Sequence, residues 1–409
     1  MQPLGLSASQ LAAYHARLFA SHDYRVTAEI LTLDEKVTGQ VALLDGQVNI
    51  TGSDAEVRRT ATMTVSDPAG ALDFAGASTW SGSTVWLDRL IRVTHSLYVP
   101  ALNRTITVTP FIGPPSKLTR NGAEVSVELQ DKTALSNRGA QPFTVPAGAV
   151  ATTAIKQILQ RTGEFRFRFG TYSKRLTKAY SVGWADETSP WAIAKRIAGE
   201  QLGAELIYSC DGYAVLRPVP GSVALQVPFV TEQPQAGVDF TRISNYVRVE
   251  GATTEKQSGT ATVTSQPIAA ATVTEGQLRP SALARQGKAR YLPTLIQSDA
   301  YTTESQAKTA ADRALVSASR VQQEPTFSCV PFFHLDADDI IRFATPTGTV
   351  DARLNNSSIP LGAEEMSVGY VRWVSKAPKS GVTSRTVKTV RRPKPTLGRG
   401  YAAKAGAKS

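Results

Sequence analysis

Residues 185–218, ADETSPWAIAKRIAGEQLGAELIYSCDGYAVLRP, hold a helix start, a helix stop and a hairpin in one stretch. Ser189 can cap a helix by accepting a hydrogen bond from its first turn. Pro190 suits the first helical position, where no amide is needed. Ile193, Ile197 and Leu202 form the apolar stripe, and Gly203 supplies the left-handed backbone that ends a helix. Asp211-Gly212 then lies between two apolar runs and predicts a hairpin. Upstream, VATTAIKQILQRTG (150–163) places Val150, Ala154, Ile155, Ile158 and Leu159 on one helical face and stops at Gly163. Residues 145–222 thus read as a small α+β module of two helices and a hairpin.

The flanks read differently. Residues 1–23 contain a short helix, SASQLAAYHARLFASH, capped by Ser7, with Leu11, His15, Leu18, Phe19 and His22 at helical spacing. From Tyr24 apolar and polar residues alternate. Val26, Ala28 and Ile30 share a phase, and so do Arg59, Ala61, Met63 and Val65. VALLDGQVNI predicts a hairpin at Asp45-Gly46, and a second is expected at Asn121-Gly122 ahead of EVSVELQD. With WLDRLIRV and NRTITVTPFIG, the span 24–144 predicts about eight strands in an antiparallel barrel or sandwich. Strand signals return over 223–375, in DFTRISNYVRVEG, PTFSCVPFF, DDIIRFATP, TVDARL and MSVGYVRWV. Within that span, Thr303 and Gln306 form a capping box for an Ala-rich helix. Residues 252–290, poor in large apolar groups, read as a long loop. The fold class expected is mainly β with a central α+β module.

The chain has 409 residues and a net charge of +11, with 42% hydrophobic and 19% charged residues, as in ordinary globular proteins. The charge is concentrated at one end. From Met366 onward there are eleven Lys or Arg and no Asp or Glu, leaving 34 basic against 34 acidic residues before that point. The body is neutral, so bulk charge does not make it a nucleic-acid surface. Residues 376–409 form a basic tail, and Arg385, Lys388, Arg391, Arg392, Lys394, Arg399, Lys404 and Lys408 are its candidate assembly contacts. A solvated end and nucleic-acid contact are the other readings of that tail. No stretch approaches the length of a membrane helix, and the start lacks the pattern of a secretory signal.

Chemistry-bearing motifs are sparse. No phosphate-binding glycine loop, HExxH, paired CxxC or nucleophile elbow occurs. No cofactor, metal or catalytic residue is assigned. His15 and His22 stand seven apart, two turns along one helix, but lack a third ligand nearby, so they read as a helix face; His95 and His334 lie elsewhere. Cys210 and Cys329 read as buried free thiols of a chain folded in a reducing cytoplasm, a disulfide between them being the other reading. Asp336, Asp338 and Asp339 could suit calcium, but between PFF and IIRF they read as a polar turn. The adjacent carboxylates Asp186-Glu187 and Glu364-Glu365 are the weak candidates for a glycosidase pair.

Taken together, the module at 185–218 resembles the helix-plus-hairpin domain in hub proteins of phage tails and contractile injection systems. YRVTAEILTLDEKVTGQVALLDGQVNI, RRTATMTVSDPAGAL, EVSVELQDKTAL and SSIPLGAEEMSV are similar to segments of minor tail proteins from siphophages of actinobacteria. ISNYVRVEG, the helix near 303–320 and TFSCVPFFHLDADDIIRF match the hub pattern as well, with Asp336 to Asp339 where the family usually has Pro-Gly-Asp. The resemblance spans residues 10 to 375. It implies two tube-like β-barrel domains flanking the α+β module, assembled as a homotrimer at the virion's tail tip. It also implies a non-enzymatic role: joining tail tube to tip and fibres and lining a channel for DNA and tape-measure protein, without sequence-specific DNA binding. Distal tail, tip, fibre and tape-measure proteins are the implied partners. A tip protein touching the host surface, or a cell-wall-degrading tail enzyme, are the alternatives.

Overall fold

The strand Val37–Ile50 pairs with three other strands. Its first half pairs antiparallel with Tyr24–Thr32, and its second half with Arg59–Ser66. Its last residues, Gln47 to Ile50, also pair with Ser357 to Pro360. One strand serves two groups of neighbours because the register slips between Leu43 and Asp45, a bulge that bends and twists the strand. Asp45-Gly46 is therefore not the hairpin turn expected of it. The chain reverses earlier, at Leu33–Lys36, where Glu35 takes φ 60° and the Thr32 amide donates to the Lys36 carbonyl. Gly46 is needed for closeness instead. A Cβ there would lie 2.8 Å from the Thr62 carbonyl oxygen and 3.0 Å from Leu361 Cδ1. A glycine inside an alternating pattern marks a bulge as readily as a turn.

This computed structural model describes residues 1–20, 24–52, 55–67, 86–137, 140–227, 238–239, 243–258, 261–319, 322–323, 326–345, 348–362, 364–372 and 379–391. They fall into two compact units, one of residues 1–243 with 321–377, the other of 244–320 with 378–409.

In the first unit a twelve-stranded sheet system runs Val223–Val227, Ile340–Thr345, Gly348–Pro360, Val37–Ile50, Tyr24–Thr32, Arg89–Val99 and Arg104–Gly113. Arg59–Ser66, Glu124–Gln130 and Pro115–Asn121 branch from Val37–Ile50, and Met366–Arg372 with Thr326–Cys329 from Gly348–Pro360. The fold is mainly β, as expected, and among the described residues none of the sheets closes into a barrel. Strands from both ends of the chain share one system, and their inward residues share one core. Val48, Met63, Val93, Phe111, Val127, Phe343, Leu354 and Ile359 all belong to it. The turn at Asn121-Gly122 forms as expected, and Val125, Val127 and Leu129 face inward. The helix Ala8–Phe19, capped by Ser7, adds Tyr14 and Leu18 to the same core.

The α+β module follows its sequence closely. Ala151–Gln160 buries Ala151, Ala154, Ile155, Ile158 and Leu159. Pro190–Arg196 is capped by the Ser189 hydroxyl, which accepts from the Ala192 amide, and runs on as one wider π-helical stretch, Ile197–Leu202. Gly203 ends it at φ 62°. Ala204–Tyr208 and Ala214–Pro218 form the hairpin, and Phe167–Phe169 adds in parallel. Trp191 stacks on Tyr208 with centroids 4.9 Å apart, tying helix to hairpin.

The second unit corrects the reading of 252–290 and of part of the tail. Thr254–Ser258 and Ala261–Val273 are strands, joined by Tyr246–Glu250, Pro293–Gln297 and Ser380–Arg391 in a five-stranded sheet. The helix Glu304–Ala318, opened by the Thr303/Gln306 capping box, packs Ala307, Ala311 and Leu315 against Val247, Val249, Ala269, Ala271 and Val273. Alanine faces alanine here, so the backbones approach closely and the core needs few large side chains.

Adding one methyl at the bulge tests its role. Gly46→Ala meets backbone atoms and is expected to cost about 1–3 kcal/mol in urea unfolding. Gly39→Ala on the same strand, where a Cβ meets only Ile30 Cδ1 at 4.0 Å, should stay within about 0.5 kcal/mol of the parent.

Candidate functional site

The turn from Phe332 to Asp339 links the strands Thr326–Cys329 and Ile340–Thr345. Its sequence predicts a polar turn. The structure makes it a turn, with Asp338 at φ 64°, but buries every residue in it. A buried carboxylate must be paired and hydrogen-bonded to be tolerated, and all three of these are. Arg59 reaches Asp336 at 3.3 Å, while also donating to the Leu335 carbonyl and, at 2.9 Å, to that of Pro110. Arg58 bridges Asp338 at 2.9 Å and Glu205. Arg217 donates to Glu205 at 3.1 Å, Asp339 at 3.2 Å and the Ala337 carbonyl at 2.7 Å. The Met1 ammonium completes the group, 2.6 Å from Asp339 and 3.1 Å from Asp336. The Cys210 amide, at the tip of the module's hairpin, donates to Asp336 at 2.8 Å.

This clasp draws on four parts of the unit: the start of strand Arg59–Ser66, the hairpin 204–218, the turn itself and the amino terminus. Asp131 fixes the approach of the first part. Its buried carboxylate accepts from the Arg58 and Arg59 amides at 3.2 and 3.1 Å and from that of Thr133 at 2.9 Å. A second clasp lies on the same module. Lys132, almost fully buried, contacts Glu35 at 3.0 Å and Glu164 at 2.6 Å and donates to the Gly212 carbonyl at 3.1 Å, and Arg166 also pairs with Glu35.

The electrostatics follow from this geometry. Burial alone would raise the Asp336 carboxyl, but the Met1 ammonium, Arg59 and Arg217 hold it well below the usual range. Glu205 is likewise pulled down by Arg58 and Arg217 against its burial. Asp338 goes the other way. Burial and the adjacent Glu205 push it up to about 7 despite Arg58. The cluster sets these carboxylates directly against arginine and ammonium groups. Both cysteines are free and buried, and burial pushes Cys329 up to about 12 and Cys210 well above its ordinary value, away from thiolate chemistry.

The structure disperses the other sequence candidates. His15 meets His334, with Nε2 atoms 3.4 Å apart and rings stacked at 5.4 Å, inside a cage with Tyr14 and Phe332. His22 lies outside the described residues. His95 stacks on Phe333 with centroids 3.9 Å apart. Among the described residues no group of three or more His, Cys, Asp or Glu is arranged to hold a metal. Asp336, Asp338 and Asp339 have their cations already, from arginine and ammonium.

Asp186 and Glu187 border a shallow cleft of about 460 Å³ with Glu56, Trp191, Lys195 and Arg196. Glu364 and Glu365 are exposed ahead of the strand Met366–Arg372. A larger cavity of about 800 Å³ lies beside the second clasp, lined by Lys132, Glu164, Phe165, Leu135, Pro114 and Pro115 among others. Of the basic tail residues, Arg385 and Lys388 are exposed on the strand Ser380–Arg391, and Arg391 ends it. Arg392, Lys394, Arg399, Lys404 and Lys408 lie outside the described residues. Sequence reading missed Arg58, Arg59, Arg217 and Lys132 as partners. One signal was present: Arg59 falls in the inward phase of Ala61, Met63 and Val65, where a cation requires a buried counter-charge.

No family model matches the sequence, and no curated protein matches it. The structure does have relatives. It superposes on the 43 kDa tail protein of prophage MuSo2 from Shewanella oneidensis with a TM-score of 0.54 at 10% identity, covering 85% of this chain and 98% of that one. A tail protein from Neisseria meningitidis MC58 gives a TM-score of 0.52 at 10% identity, covering 86% and 96% respectively. The chain shares the fold of these tail proteins over nearly their whole length.

Two measurements test the clasp and the histidine cage. Arg59→Leu leaves Asp336 short of a partner and is expected to cost about 3–5 kcal/mol in denaturant unfolding. Burial, then His15 and the Met1 ammonium, push His334 down to about 3. The folded state therefore keeps it neutral, while the unfolded chain takes up a proton near pH 6.5. Stability is intact above pH 6.5 and lost progressively as pH falls from there towards 3. Between pH 7 and pH 5 the parent should lose about 2 kcal/mol more than His334→Met, read from urea unfolding at both pH values. Parallel losses in the two proteins would contradict the assignment.

Proposed function

We propose that the chain is a structural subunit of a phage tail, the hub that joins the tail tube to the tip and fibre apparatus. The observation that carries this reading is the fold shared with two tail proteins over 85% and 86% of the chain. The physical character of the molecule supports it. Buried charge in the first unit is spent on fixing the module against the sheet, which suits a part that bears load rather than one that turns over substrate. Branched sheets with open edges suit a subunit whose strands are completed by neighbours, as in a ring.

In this reading three copies surround a channel through which DNA and the tape-measure protein pass without sequence recognition. Strands from the two ends of the chain then supply a tube-like wall. The distal tail protein, the tip and fibre proteins and the tape-measure protein are the neighbours, and the particle is the virion tail. The chain is not assigned an activity. The basic residues Arg385, Lys388, Arg391, Arg392, Lys394, Arg399, Lys404 and Lys408 belong to its assembly contacts.

Quantitative mass spectrometry of purified virions, calibrated against a tail protein of known copy number, tests the role and the copy number together. Three copies per tail are expected, released from disrupted tails as a particle of three times the 43.8 kDa chain mass. A chain missing from virions, or present along the tail in tube-protein numbers, would contradict the hub reading.

A further inference from the structure

The strand Ser380–Arg391 pairs antiparallel with Ala261–Val273 over its whole length, from Ser380 opposite Val273 to Arg391 opposite Thr262. No other described strand pairs with it, so its far side is an edge of the five-stranded sheet. An edge presents unpaired amides and carbonyls as a template for another strand. Twelve residues give about 40 Å of such template. That is long for an edge left without a bulge or proline to blunt it, and no register slip occurs along this ladder.

The edge also has a charge and a polarity. From Met366 to the end the chain carries eleven Lys or Arg and no Asp or Glu. Three of these fall on the strand at three-residue spacing, Arg385, Lys388 and Arg391. In a strand that spacing alternates between faces. The helix-side face is marked by Val382, which packs on the unit's core, and by Ser380 and Thr386, whose hydroxyls donate to Asp312 and Glu304 of the helix. Lys388 shares its phase, and Arg385 takes the opposite one. Three acids beside the strand are engaged: Asp312 and Glu304 as above, and Glu275 with Lys379 at 2.8 Å. Arg385 and Lys388 are exposed and make no ion pair among the described residues.

We propose that the outer edge of Ser380–Arg391 docks an extended acidic segment of a second tail protein, which joins the sheet as a further strand. Carboxylates three residues apart on the incoming strand would meet the cations on alternating faces, while backbone hydrogen bonds supply the length-wise register. A second copy of this same strand is a poor occupant, because antiparallel self-pairing sets like charges opposite one another. The tail-subunit reading enters only in naming the partner as a tail protein. The edge and its charge stand without it.

The test uses the full chain and a fluorescein-labelled twelve-residue peptide with Glu at every third position and Thr or Val between. Binding is read by anisotropy. The peptide is expected to bind, and its counterpart N-methylated at alternate residues, which keeps the charge but cannot pair, should bind at least tenfold more weakly. The triple variant R385A/K388A/R391A should also lose at least tenfold, with hydrogen-exchange protection of Ala261–Val273 confirming that it folds. A chain ending at Arg391 should keep most of the binding.

Equal binding of the methylated peptide, or a triple variant that binds normally, would overturn the docking edge. So would an oligothymidylate that binds more tightly than the peptide through the same three residues. The charges could instead serve only to prevent edge-to-edge association. In that case the triple variant would self-associate and no peptide would bind the parent, which also overturns the proposal. Virion mass spectrometry keeps the two readings apart. A chain present in tails but deaf to the peptide removes the edge and leaves the tail role, and the reverse pattern removes the tail role alone.

Discussion

Four buried carboxylates, those of Glu205, Asp336, Asp338 and Asp339, set the terms for the rest of the first unit. Each has left water, and the penalty for that is recovered only if arginine and backbone donors stand in the right places. Those donors come from segments far apart in sequence, Arg58 and Arg59 at one strand's start and Arg217 on the module's hairpin. A displaced hairpin would leave charges buried and unpaired. The cluster therefore contributes little net stability and a great deal of definition. It makes one relative placement of sheet and module far better than its neighbours. A hydrophobic interface of the same area would be greasier and more forgiving.

The sheet system interlocks the two ends of the chain by a different device. The bulge between Leu43 and Asp45 lets one strand turn from its pairing with Tyr24–Thr32 to pairings with Arg59–Ser66 and Gly348–Pro360. Residue 46 has to be glycine because the Thr62 carbonyl and Met63 Cα crowd it. Neither end can complete its core alone, since Phe343, Leu354 and Ile359 fill the same interior as Val48, Met63 and Val127. A subunit built this way resists being pulled apart strand by strand, which suits a component under load in the proposed tail hub.

What the sequence disclosed depended on whether the signal was local. The module's boundaries were legible because caps, stripe and turn all lie within the residues they govern: Ser189, Gly203 and Asp211-Gly212 behave as their chemistry says. Asp45-Gly46 misled because a turn and a bulge ask for the same residue types, and only the partner strand decides between them. The sheet at 254–273 was hidden because its core is alanine against alanine, which hydropathy reads as a loop. The strand Ser380–Arg391 was hidden by its charge, although Val382, Thr383, Thr386, Val387 and Thr389 favour extended backbone. The ionic clasp was the least accessible of all. Its carboxylates looked like a surface turn, and their burial depends on Arg58 and Arg217, more than a hundred residues away. The family resemblance anticipated the kinship with tail proteins. It did not anticipate that both β regions would merge into one sheet system.

The measurement that bears most directly on the whole account is electron cryomicroscopy of the intact virion's tail, with this chain placed in density. The account expects three copies around the axis at the distal end of the tube. In each, the hairpin 204–218 should be held against the sheet by Arg58, Arg59 and Arg217. Density for the chain anywhere other than the tail's distal end, or copies that surround no channel, would contradict it.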